Sequence, residues 1–266
     1  MDPHATLACL AYSAPMLWVT LALVGVLAGA INAVAGGGTL FTFPTLLAFG
    51  MSPIAANATS TVALVPGSFS AFWGLRRVAV REPRELMWMA LPSLAGGICG
   101  ALLVLWVGNA MFARIVPWLI YGATLLFLAQ ARIKRWIDAR IGLDAGGHRR
   151  RTLQVCTQLA IAVYGGFFGA GMGVLMLALL GMIGSTDLSR MNGQKNFAAV
   201  CINGVAAVTF ALSGHVQWMQ ALCLAVGAIA GGYGAARVSQ RVDVRYLRAL
   251  VVLVGFGMGT YTLLRA

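Results

Sequence analysis

The chain has 266 residues, 60% hydrophobic and 10% charged, with a mean hydropathy of +0.84. A soluble domain carries roughly 25% charge, so this composition excludes a water-facing globular surface and points to an integral membrane protein. The net charge of +12 does not indicate nucleic acid, because membrane proteins gather Lys and Arg in cytoplasmic loops.

The first residues, MDPHATLACLAYSAPM, contain no Arg or Lys, so no cleaved signal peptide is expected. A helix rises about 1.5 Å per residue, so roughly 20 apolar residues cross a bilayer. The apolar stretch 16–49 is long enough but is interrupted by three glycines, Gly36, Gly37 and Gly38. Glycine is costly inside a helix, and the piece that follows, 39–49, is about 17 Å long as helix. It is too short to span and predicts a bent hairpin that returns towards its starting side. Full spans are expected at 54–75, 86–107 and 112–131. A basic loop, 132–152, follows. Within it Ile133, Trp136, Ile137 and Ile141 share one face, the pattern of a short interfacial helix. The stretch 153–184 is broken by GAGMG at 169–173 and predicts a second hairpin. Spans at 188–212, 217–238 and 246–264 complete the chain.

Basic residues cluster at 76–85 (Arg76, Arg77, Arg81, Arg84), at 132–151, and at 237–248 (Arg237, Arg241, Arg245, Arg248). Placing these segments and Arg190 in the cytoplasm agrees with every intervening span. Both termini then lie on the outer side of an inner (plasma) membrane.

Gly36 and Gly171 are 135 residues apart, and that shift aligns much more. Gly38 meets Gly173, Asn57 meets Asn192, and Gly96 and Gly97 meet Gly231 and Gly232. Ser52 meets Asp187, each where a helix N-cap belongs. The basic loop 76–85 corresponds to 211–220, and the basic loop 237–248 to 102–113; neither counterpart contains Arg or Lys. Equivalent loops therefore fall on opposite sides. The expected fold class is an all-α polytopic membrane protein of two inverted-topology repeats, 16–131 and 153–264. Each is a glycine-broken hairpin plus three transmembrane helices, the plan of many secondary transporters. Irregular backbone at membrane depth is tolerated only where protein buries it or a cavity is wet. In such transporters the breaks mark the substrate site, and a helix start there favours anions.

Two polar clusters follow the breaks. The first is Asn57, Thr59, Ser60 and Thr61; the second is Asn192, Gln194, Lys195 and Asn196. Lys195 is the charge placed well inside a span, with no interior carboxylate to pair with. A bound anion is one partner for it; snorkelling to the inner interface is the other reading. The candidate substrate-binding residues are Gly36, Gly37, Gly38, Thr39, Asn57, Thr59, Ser60, Gly171, Gly173, Asn192, Gln194 and Lys195. Thr42, Ser68 and Asn203 are weaker candidates. The GxxxG pairs Gly25/Gly29, Gly96/Gly100, Gly227/Gly231 and Gly255/Gly259 predict close helix packing. No HExxH, GxSxG or paired carboxylates appear, and the five cysteines have no metal spacing, so no enzyme, metal or cofactor is expected.

The text GGGTLFTFPTLLAFGMSPIAANATST, and GGFFGAGMGVLMLALLGMIG with NGQKN downstream, resembles the sulfite exporter TauE/SafE family over nearly the whole chain. The second repeat departs from the first, with GAGMG for the three glycines and Leu179 where the first has Pro44. The resemblance implies a bundle of about eight transmembrane segments that moves sulfite, sulfonates or other organosulfur anions. An anion channel or a non-transporting membrane subunit is the alternative. The partners implied are a small anionic substrate and the lipid bilayer, without nucleic acid; a homodimer is compatible with the sequence.

Overall fold

The computed structural model describes residues 14–80, 83–138, 147–182, 187–238 and 244–265. These are helical apart from short turns. In chain order the helices are α1 (Ala14–Val34), α2 (Thr39–Ala48), α3 (Pro53–Ala79), α4 (Pro83–Asp138), α5 (Gly147–Phe167), α6 (Met172–Met182), α7 (Leu188–Leu212), α8 (Trp218–Val238) and α9 (Val244–Arg265).

The helix ends follow from local chemistry. Ser52 accepts a bond from Ala55 N, with Pro53 in the first turn, where its missing N–H costs nothing. Asp187 Oδ1 accepts bonds from Ser189 N (2.9 Å) and Arg190 N (3.3 Å). Both expected N-caps are thus present, and they open α3 and α7. The expected spans 86–107 and 112–131 merge into α4. Its two arms meet at Gly108, where φ 76 and ψ 165 bend the chain in a single residue. No separate loop is needed. The residues expected as an interfacial helix continue the second arm of α4 as far as Asp138, and Ile141 lies outside the described residues.

Among the described residues, four segments are long and apolar enough to cross a membrane: Met16–Val34, Glu85–Ala129, Leu188–Leu212 and Trp218–Arg237. α3 has the length, 27 residues, but its ANATST run and two arginines make it less apolar. The outward surface is apolar: Trp106 is 84% exposed, Leu91 72% and Val226 69%. In water such a surface would aggregate; lipid tails cover it.

The GxxxG pairs pack as expected. A Cβ on Gly25 or Gly29 would run into the backbone of Leu224 or Ala228, and one on Gly227 or Gly231 into Ala22 or Val26. These contacts join α1 to α8, the most extensive helix pair. Gly96 and Gly100 let α4 meet α5 in the same way, and Gly255 and Gly259 seat α9 against Thr124 and Tyr121 of α4. The packing also repeats at the 135-residue spacing. Gly97 lies on Ile202 O, and its equivalent Gly232 lies on Gly67 O.

Contacts sort the connections into two ends. At one end Asn109 Oδ1, just after the α4 bend, accepts from Ile54 N (3.0 Å), and Thr59 Oγ1 accepts from Gln217 N (3.0 Å). At the other, Arg190 meets Glu85 (2.9 Å) and Arg151 stacks on Trp88. The contacts at the second end use the arginines Arg190 and Arg151, and those at the first use neutral groups.

Candidate functional site

Both interruptions are built from glycine in a conformation other residues avoid. At the end of α1, Ala35 N and Gly36 N both donate to Ile31 O, at 2.8 and 3.0 Å. Gly36 then turns the chain at φ 78. At the end of α5, Phe168 N and Gly169 N both donate to Tyr164 O, and Gly169 and Gly171 adopt φ 75 and 77. The two breaks touch. A Cβ on Gly36 would collide with the backbone of Gly173, and one on Gly173 with that of Gly36.

Each short helix then starts in the protein interior. Leu40 N, Phe41 N and Thr42 N bond to Gly37 O or Gly38 O, which leaves the buried N–H groups of Gly37, Gly38 and Thr39 outside these turn bonds. At the start of α6, Met172 N and Val174 N bond to Gly169 O and Gly171 O, leaving those of Ala170, Gly171 and Gly173. Unused N–H groups at a helix start attract anions.

Aromatic and polar side chains close round this centre. A Cβ on Gly37 would strike the Phe127 ring, and Gly171 faces Ala123, one turn away on the same arm of α4. A Cβ on Gly169 would lie 3.8 Å from Thr39 Oγ1 and 3.9 Å from Asn203 Oδ1. Thr39 and Asn203 therefore converge on the second break, the first from α2 and the second from α7. Gly38 packs on Ala28 and Asn32 of its own hairpin.

The carbonyl ends of the two broken helices are capped by side chains from the opposite half. Asn57 Nδ2 donates to Phe167 O at the end of α5 (3.1 Å). Lys195 Nζ donates to Asn32 O (2.8 Å) and Ala33 O (2.9 Å) at the end of α1, and Asn196 Nδ2 joins it on Ala33 O (3.1 Å). Lys195 is 1% exposed, so it does not snorkel. Its protein partners are the orphan carbonyls of a helix end, where a cation belongs. The lack of an interior carboxylate therefore does not leave it without a protein partner.

Other candidates are used elsewhere. Ser60 pairs with Thr42. Thr59 Oγ1 accepts from Gln217 N in the turn before α8. Gln194 Nε2 donates to Glu85 (2.7 Å) at the basic end. The side-chain oxygens of Asn57, Asn192, Gln194 and Asn196 are buried without a protein donor; water or a donor-bearing ligand satisfies such groups. Asn32 escaped the sequence reading. Its Nδ2 donates to Ser68 Oγ (2.8 Å) while its carbonyl takes Lys195. In the shifted register it lies opposite Phe167, whose carbonyl Asn57 caps. Among the described residues no group of three or more His, Cys, Asp or Glu is placed to hold a metal.

A family model described as Sulfite exporter TauE/SafE matches residues 21–262. Relatives share its length. The probable membrane transporter protein YfcA of Escherichia coli (strain K12) is 28% identical over 247 residues, covering 90% of this chain and 87% of that protein. A probable membrane transporter protein of Haemophilus influenzae is 29% identical over 252 residues, covering 91% and 92%. YunE of Bacillus subtilis, also named a probable membrane transporter protein, is 22% identical over 263 residues, covering 90% and 96%.

Proposed function

The chain belongs to the sulfite exporter TauE/SafE family, and from that premise we propose that it is a secondary transporter for a small anion, with the two abutting glycine breaks as its substrate site. It is a membrane transporter rather than an enzyme, as its family and relatives are. The observation that carries the anion reading is the pair of helix starts at α2 and α6. Their buried N–H groups lie beside backbones close enough that only glycine fits. The positive charge of Lys195 adds to that field across the end of α1. Sulfur oxyanions are the substrate class that the family's description suggests.

The residues proposed to line the site are Gly36, Gly37, Gly38, Thr39, Asn57, Ser60, Gly171, Gly173, Asn192 and Lys195, with Asn203 added from the geometry. Thr59 and Gln194 act from the two ends. Alternating access would rock one repeat, 16–131, against the other, 153–264, about the breaks. In this reading the repeats have inverted topology, the basic end is cytoplasmic, and the membrane is the plasma membrane.

Purified protein in liposomes tests the proposal. Thermal stabilisation by sulfite, thiosulfate or sulfoacetate, but not by carboxylate controls, is expected. Saturable counterflow of the stabilising anion should follow. Flux that does not saturate and shows no counterflow would instead identify a channel. Orientation is tested with single cysteines in a Cys-free background. One at position 80 should be shielded from an impermeant thiol reagent in whole cells, and one at 214 should label. Equal labelling would overturn the inverted topology.

A further inference from the structure

We infer that Lys195 carries the coupled proton, so that one proton moves in the same direction as each anion. The inference rests on the anion-transporter reading above. It starts from the partners of Lys195. Its Nζ is buried and bonded to two neutral carbonyls, Asn32 O and Ala33 O, at 2.8 and 2.9 Å. An ammonium has three N–H bonds and a neutral amine has two. Both forms therefore satisfy the same two carbonyls. The proton that distinguishes them is the third, which the α1 end does not use. Losing it breaks neither bond and leaves the end of α1 capped.

The surroundings decide when that third proton is held. α1 and α6, which flank the break, bring no ionisable side chain. On α4, Glu85 is engaged with Arg190 and with Gln194. On α5, Tyr164 gives its hydroxyl to Ala170 O. On α3, Arg76 stacks on Trp73 at the helix end, with Arg77 beside it in sequence. Among the described residues, no carboxylate is bonded to Lys195. A buried ammonium without a counter-ion is costly. An anion at the breaks supplies that counter-ion. Anion binding and protonation then reinforce each other, which is the thermodynamic condition for symport. The step balances simply. R–NH2 takes a proton from water on the side where the anion enters. On the far side the anion leaves, R–NH3+ returns the proton to water, and the amine form resets.

A sodium ion would need the same kind of carbonyl oxygens at a broken helix. Here the tethered nitrogen already occupies them, so a sodium gradient should not drive transport.

The test uses the full chain in liposomes clamped at zero potential, a pH dye inside, and thiosulfate or sulfoacetate, whichever stabilises the protein more. In the wild type, entry of the anion should acidify the lumen. Its apparent affinity should fall about tenfold per pH unit once the empty-site lysine is deprotonated. Lys195→Arg keeps a charge that is not lost in this range. Its anion binding and exchange should be weaker than in the wild type, with affinity changing less than about twofold across the same pH range and no proton movement. Lys195→Met should lose the pH dependence and weaken binding. If the wild type transports the anion with no proton movement, or if Lys195→Arg still moves protons, the coupling role is overturned and the transporter reading stands. If neither anion stabilises nor crosses in the wild type, the anion reading itself fails, and the coupling with it.

Discussion

The ends of α1 and α5 occupy matching positions in the two halves, yet they are capped by different chemistry. Phe167 O, at the end of α5, receives the neutral amide of Asn57. Asn32 O, 135 residues earlier, receives the ammonium of Lys195. At the position equivalent to Lys195 stands Ser60, which pairs with Thr42 and leaves the α5 end alone. The backbone plan is shared, and the charge is not. The two helix breaks pack on each other through Gly36 and Gly173. A single substituted position makes one of them electrically different. In the proposed transporter, ligand charge and protonation are read at the α1 end, and the α5 end is capped by a neutral amide.

The glycines give the largest test of that contrast. Gly36 and Gly171 are equivalent and share nearly the same positive φ. Alanine at either should cost about 1–3 kcal/mol of backbone strain. A Cβ at Gly171 would meet Ala123 at an ordinary 3.4 Å, whereas one at Gly36 would run into the Gly173 backbone. Overpacking adds about 1–3 kcal/mol at Gly36 alone. Gly36→Ala should therefore lower the melting temperature, followed by size-exclusion after heating, clearly more than Gly171→Ala. Equal losses would mean that the two breaks do not abut as described.

The next test compares the caps. Asn57→Ala leaves the part-buried Phe167 O without its side-chain donor, at a cost of about 1–3 kcal/mol. Asn196→Ala removes one of two donors from Ala33 O, and Lys195 remains there. Its cost should stay nearer ~1 kcal/mol. The order of melting temperatures should be wild type, then Asn196→Ala, then Asn57→Ala. The reverse order would show that Lys195 does not hold the α1 end.

Much of this was legible because glycine and N-cap residues act through their own backbone. Three glycines in apolar text can only be a break, and Ser52 and Asp187 opened helices where the shifted register placed them. The GxxxG pairs found close neighbours for the same reason: the missing side chain is itself the signal. What the residues did not reveal were bonds whose acceptor is a backbone carbonyl. Every residue has one, so nothing in the text marks Asn32 O or Phe167 O as an acceptor. The two carbonyl partners of Lys195 were hidden for that reason. The single-residue bend at Gly108 was hidden too, since one glycine between two apolar runs reads equally as a loop.

The smallest expected effect lies at the two ends. The basic end is held by a charged pair, Arg190 with Glu85, and by Gln194 on the same carboxylate. The opposite end is held by neutral bonds, Asn109 to Ile54 N and Thr59 to Gln217 N. Glu85 is 45% exposed, so the pair is screened and contributes about 0–1 kcal/mol. Glu85→Gln keeps an acceptor for Gln194 and removes the charge opposite Arg190. It should shift the melting temperature little at low salt and not at all at high salt, where screening has already weakened the wild-type pair. Thr59→Val, at the other end, removes an acceptor from a backbone N–H and should show a loss that salt does not change. If the Glu85→Gln loss also persists unchanged at high salt, the Arg190 contact acts as a hydrogen bond and not through charge, and the two ends are chemically alike.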